Sequence, residues 1–198
     1  MVQSASAVSY LHSSKPRPTL HRDIKPMNIL LTHDYRRAKL ADFGFARVEA
    51  TEMTNKRGTV LWMAPEVKYS LLHPYNSNPQ VFTGTQYSAK CDVYSLGVCV
   101  WEVLTGQLPY YDANGKGPDM RAFKNNVILW YTDATNRDPP LRPSPMPDVP
   151  EAPELIELIE EAWAKDPNMR PTAQQLHERL AVVLTKFPGG DAPLHVDA

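Results

Sequence analysis

The sequence predicts a mainly α domain with a small β element near its start, and three observations carry that expectation. Residues 90–105, KCDVYSLGVCVWEVLT, are apolar nearly all round, the pattern of a helix buried at a domain centre. Two further helical patterns, each with its own start signal, follow towards the end of the chain. Strand signal is confined to two short runs flanked by polar turns, Ile29-Leu30-Leu31 and Ala38-Lys39-Leu40. A chain of 198 residues accommodates one sizeable core and not two comfortable ones.

Taken in order, residues 2–13 read as a helix with Val8 and Leu11 on one face, followed by a proline-interrupted connection from Ser14 to Pro18. The two short strands come next, and helical signal resumes from Glu66. Lys68 to Ser88, with Pro74, Pro79 and Gly84, reads as a long surface loop. Gly106 is placed to stop the central helix. A helix is expected near residues 119–130, and a proline-dense loop over 132–150. Pro153 can open a helix with Leu155, Ile156, Ile159, Ala162 and Trp163 inward, ending near Asp166-Pro167. Thr172 with Gln175 forms a capping-box pattern for a last helix that turns Leu176, Leu180 and Val183 inward. The domain is expected over 1–187, with a frayed tail at 188–198.

Composition narrows the function classes. A formal net charge of −1 and a pI near 6.6 argue against nucleic acid or an anionic membrane as the main partner. No apolar run approaches the roughly 20 residues that span a bilayer. Met1 to Tyr10 lacks the pattern of a signal peptide, so cytoplasmic or nuclear residence is the expectation. Cys91 and Cys99 fall roughly 12 Å apart along one helix, too far for a disulfide, and read as buried thiols.

The chemistry concentrates in His21-Arg22-Asp23-Ile24-Lys25-Pro26-Met27-Asn28. Phosphoryl transfer to a hydroxyl calls for a carboxylate to accept the proton, a cation beside the transferred group and an oxygen ligand for a metal. Asp23, Lys25 and Asn28 offer these in that order. Asp42-Phe43-Gly44 follows the second strand, and Ala64-Pro65-Glu66 closes the segment after it.

These three ordered motifs resemble those of a eukaryotic protein kinase domain, specifically its C-terminal lobe. The resemblance runs over residues 2–187 and implies ATP and Mg2+ as cofactors and proteins bearing Ser or Thr as substrates. It implies catalytic roles for Asp23, Lys25 and Asn28, and ion binding for Asn28 and Asp42. Asp42, Asn28, Lys25 and Leu30 would line the cofactor site, and Phe43 would pack to set the active state. By the same resemblance Asp92 caps the catalytic-loop backbone, and Arg170 pairs with Glu66. Arg22 and Arg47 suggest a pocket for a phosphate on Thr51 or Thr54; the alternative is that both arginines pair with Glu49 or Glu52. Lys25 and Gly58-Thr59 favour Ser/Thr over Tyr, with the Thr59 hydroxyl bonding near Asp23 and Lys25. Gly58 to Glu66, with Trp62-Met63, is similar to the tyrosine-kinase-like branch.

Nothing before His21 matches the glycine-rich loop or the strand lysine of a complete kinase domain. The expectation is therefore a lobe without its N-terminal partner, inactive by itself, with Leu30 and Phe43 facing water. The alternative reading is a non-catalytic kinase-derived binding module, or a competitor of an intact kinase.

Overall fold

The computed structural model describes residues 1–14, 18–43, 59–67, 88–119, 121–123, 127–137 and 140–187. The expectations that fall on 68–87 and on the 188–198 tail lie outside these. Among the described residues the order is α1 (Val2–His12), β1 (Ile29–Leu31), β2 (Ala38–Leu40), α2 (Lys90–Thr105), α3 (Val127–Asn136), α4 (Glu154–Ala162) and α5 (Ala173–Leu184). The result is a helical lobe with one antiparallel pair, in which Ile29 faces Leu40 and Leu31 faces Ala38.

Helix α2 is the axis. Every residue from Cys91 to Trp101 is buried, as its all-round apolar sequence requires. It stops at Gly106, whose φ of 65° is the left-handed cap that glycine adopts without penalty, and whose N–H donates to the Glu102 carbonyl at 2.8 Å. Gly97 lets α4 approach closely, since a Cβ there would stand 2.8 Å from the Ala162 Cβ. Helices α1 and α5 pack together through Val2, Ala5 and Val8 and through Leu176, Leu180 and Val183, all buried. At the start of α5 the Gln175 N–H donates to Thr172 Oγ1 at 3.1 Å, and the Thr172 N–H donates to Gln175 Oε1 at 2.8 Å. The capping box forms as its spacing predicts.

Three expectations need correction. The third helix runs over Val127–Asn136, so the first part of the 132–150 loop is helical. Its polar residues disguise a face on which Trp130, Tyr131, Ala134 and Thr135 are buried, the one-turn repeat of a helix. In α4 the inward stripe is Leu155, Leu158, Ile159, Ala162 and Trp163, with Leu158 replacing Ile156. Ile156 stands roughly 100° off the line of its neighbours and is only half-buried. The same helix ends at Ala162, before Asp166-Pro167, and Asp166 instead caps a separate 3-10 turn over Pro167–Met169.

Candidate active site

The 21–28 loop is held from beneath by one carboxylate. Asp92, in the first turn of α2 and buried, accepts the His21 N–H on Oδ2 and the Arg22 N–H on Oδ1, both at 2.9 Å. Arg22 has a φ of 67°, a left-handed conformation strained for a side chain of its size. The two charge-assisted bonds to Asp92 offset that strain and set the turn that lifts Asp23. His12, at the end of α1, donates from Nε2 to Asp92 Oδ2 at 2.8 Å. The buried His21 ring braces the other side: Nδ1 accepts the Asp23 N–H at 3.4 Å, so Nε2 carries the proton and donates to the Ala41 carbonyl at 3.0 Å.

Above this brace, Asp23, Lys25 and Asn28 converge, all buried. Lys25 Nζ donates to Asp23 Oδ2 at 2.7 Å. Asn28 Nδ2 donates to the same oxygen at 3.0 Å and to the Asp23 carbonyl at 2.7 Å. Asp23 Oδ1 is buried and has no hydrogen-bond partner among the described residues. A buried carboxylate oxygen left so is costly, and a donor arriving from outside the fold would relieve it.

Strand pairing places the second motif. The Ala41 N–H donates to the Asn28 carbonyl at 2.8 Å, so Asp42 follows directly on a residue tied to Asn28. Asp42 has a φ of 60° and is exposed. The Phe43 ring meets His21 edge to face, with centroids 5.1 Å apart. Phe43 and Leu30 stand 48% and 56% exposed.

Far along the chain, Arg170 Nη1 and Nη2 donate to the two Glu66 oxygens at 2.6 and 3.0 Å. The guanidinium also reaches the Ala164 and Lys90 carbonyls and lies over the Tyr94 ring. Just upstream of Glu66, Trp62 Nε1 donates to Glu102 Oε2 at 2.6 Å. Burial pushes the Glu102 carboxyl up, and the Trp62 bond partly opposes it.

Gly44, Arg47, Thr51 and Thr54 lie outside the described residues. Thr59 opens the 3-10 turn over Thr59–Trp62. Sequence reasoning missed His12, Glu102 and Tyr131. Each makes its contact through a partner many residues away, so no local spacing marks it. The one available signal was that Glu102 is a charged group in a run, Leu96 to Leu104, that has no other polar side chain.

A helical lobe in which a buried Asp–Lys–Asn cluster adjoins Asp42 and Phe43, just after β2, has the arrangement of the protein kinase class. The family model for the protein kinase domain matches residues 1–180. The chain is 35% identical over 193 residues to mitogen-activated protein kinase kinase kinase 7 of Homo sapiens, covering 98% of this chain and 27% of that protein. The Drosophila melanogaster protein of the same name is 33% identical over 192 residues, covering 97% and 24%. The seven transmembrane domain-containing tyrosine-protein kinase 1 of Dictyostelium discoideum is 35% identical over 171 residues, covering 86% and 21%. This chain belongs to the protein kinase family. It spans about a quarter of the length of the curated relatives it matches. No described helix is long and apolar enough to cross a membrane.

Proposed function

We propose that this chain is the C-terminal lobe, residues 1–187, of a serine/threonine kinase of the tyrosine-kinase-like branch. The observation that carries the reading is the Asp23 carboxylate, with Oδ2 held by Lys25 and Asn28 and Oδ1 left for an incoming donor. A serine or threonine hydroxyl is such a donor, and Asp23 accepts its proton as the oxygen attacks. Lys25 would face the transferred phosphoryl group and offset its charge.

The residues fit the cofactors of the class. Asn28 turns its amide nitrogen to Asp23, which directs Oδ1 the other way as an oxygen ligand. Among the described residues no group of three or more His, Cys, Asp or Glu forms a metal cluster. Mg2+ takes one or two protein oxygens and completes its shell with water and phosphate. Asn28 and Asp42 would hold the ion, and Leu30 would form part of the cofactor surface. When bound, ATP supplies the phosphoryl group and Mg2+ neutralises its charge. Phosphate on Thr51 or Thr54 would pair with Arg22 and Arg47.

Taken by itself, the 198-residue chain has no glycine-rich loop or strand lysine to clamp phosphates. It is therefore expected to transfer negligible phosphate to a mixture of Ser-, Thr- and Tyr-containing peptides. Joined to the N-terminal lobe of a related kinase, it should phosphorylate Ser and Thr peptides and lose that activity in Asp23→Asn. Robust Asp23-dependent transfer by the chain alone overturns the expected inactivity. Transfer confined to Tyr overturns the substrate class. A joined protein that folds and binds ATP but transfers nothing favours the binding-module reading.

A further inference from the structure

Three tyrosine hydroxyls meet in the core where α2, α3 and the turn after α2 converge. Tyr131 Oη lies 3.0 Å from Tyr94 Oη, 2.9 Å from Tyr110 Oη and 3.2 Å from the Met63 carbonyl oxygen. A phenol has one proton and a carbonyl can only accept. Tyr131 therefore donates to Met63, and Tyr94 and Tyr110 each donate to Tyr131. Burial pushes the Tyr94 and Tyr110 phenols up. The Tyr110 and Tyr131 rings pack edge to face, with centroids 5.0 Å apart. Tyr110 holds a φ of 67°, a strained backbone that these contacts maintain.

The cluster closes a circuit. From Met63 the chain runs through Ala64-Pro65 to Glu66, which Arg170 grips while its guanidinium lies 5.0 Å from the Tyr94 ring centre. The Tyr94 hydroxyl then leads through Tyr131 back to Met63. Phenylalanine would fill the same space, so the buried hydroxyls have their physical rationale in the carbonyl they hold.

We infer that Tyr131 is a positioning residue for the segment that receives the protein substrate: its hydroxyl, aimed by Tyr94 and Tyr110, fixes the Met63 carbonyl while Arg170 fixes Glu66. This rests on the kinase reading above: Thr59 is expected beside Asp23 and Lys25, so residues 59–67 would run along the place where an acceptor peptide meets them.

Met63-Ala64 is the one Met-Ala step in the sequence. Labelling with carbonyl-13C methionine and 15N alanine thus isolates the Met63 carbonyl as a single NMR cross-peak in the 198-residue chain. In Tyr131→Phe that peak should move upfield, and the Met63 and Val67 amides should exchange about tenfold faster while α5 is unchanged. Titration with a mixture of Ser and Thr peptides should move the wild-type peak, and move it less in the variant. Tyr110→Phe, which leaves the Tyr131 donor in place, should show smaller changes in the same direction and serves if Tyr131→Phe fails to fold.

An unmoved cross-peak in whichever of these variants folds overturns the inference. So does a wild-type peak that ignores the peptides, because the cluster then braces the core and serves no substrate. These spectra need no ATP, so their outcome is separate from that of the Asp23-dependent assay, which decides the kinase reading.

Discussion

The Arg170 guanidinium closes on the Glu66 carboxylate through two hydrogen bonds, of 2.6 and 3.0 Å, across 104 residues of chain. The Arg170 side chain is fully buried and that of Glu66 is 9% exposed, so neither charge has much water to fall back on. Arg170→Ala leaves Glu66 uncompensated and is expected to cost about 3–5 kcal/mol in urea unfolding. Replacing both, as in Glu66→Met with Arg170→Leu, should recover part of that loss. A single mutant within 1 kcal/mol of wild type would contradict the assignment.

Asp92 is the second long-range anchor. Asp92→Asn replaces one accepting oxygen with a donor that faces an N–H. The expected loss is about 2–4 kcal/mol, with the His21, Arg22 and Asp23 amides exchanging faster than the rest of the lobe. Uniform acceleration throughout the chain would instead mark Asp92 as a general core residue.

Ser4 offers the opposite sign. Its hydroxyl is fully buried in α1 and finds no hydrogen-bond partner among the described residues. Ser4→Ala removes an unsatisfied polar group and raises helix propensity, for an expected gain of about 1 kcal/mol. Thermal unfolding reads it directly, and a lowered Tm would show that the hydroxyl is satisfied.

The two thiols link stability to pH. Burial pushes the Cys91 and Cys99 thiols well above the ordinary value, more than any neighbouring charge does. The folded state therefore holds protons that the unfolded state releases. The stability contribution is complete below the ordinary thiol pKa, about 8.5, and is lost as the pH rises towards the folded values. Urea midpoints should fall above that pH, and less so in Cys99→Ala if the variant folds. At neutral pH both thiols should react with a thiol probe only after unfolding.

Local sequence was enough for the elements whose determinants lie within a few residues of one another. The Thr172–Gln175 capping box, the Gly106 stop and the all-round apolar α2 each follow from one or two turns of backbone geometry. The His21–Asn28 loop and Asp42-Phe43-Gly44 stood out because the kinase family carries those residue types at those intervals. Family resemblance also supplied the Glu66–Arg170 pair, which no local rule contains.

The tertiary structure alone decided what depends on a distant neighbour. Leu158 rather than Ile156 turns inward because α4 meets the core along one stripe, and both residues are equally apolar. Thr132 to Asn136 are helical because Tyr131, Ala134 and Thr135 have a core to pack against, though their sequence reads as loop. His12 meets Asp92, and Tyr131 meets Tyr94, Tyr110 and Met63, only once the helices have docked. A hydrogen bond acts over about 3 Å, and whether two residues come that close is set by how the helices pack.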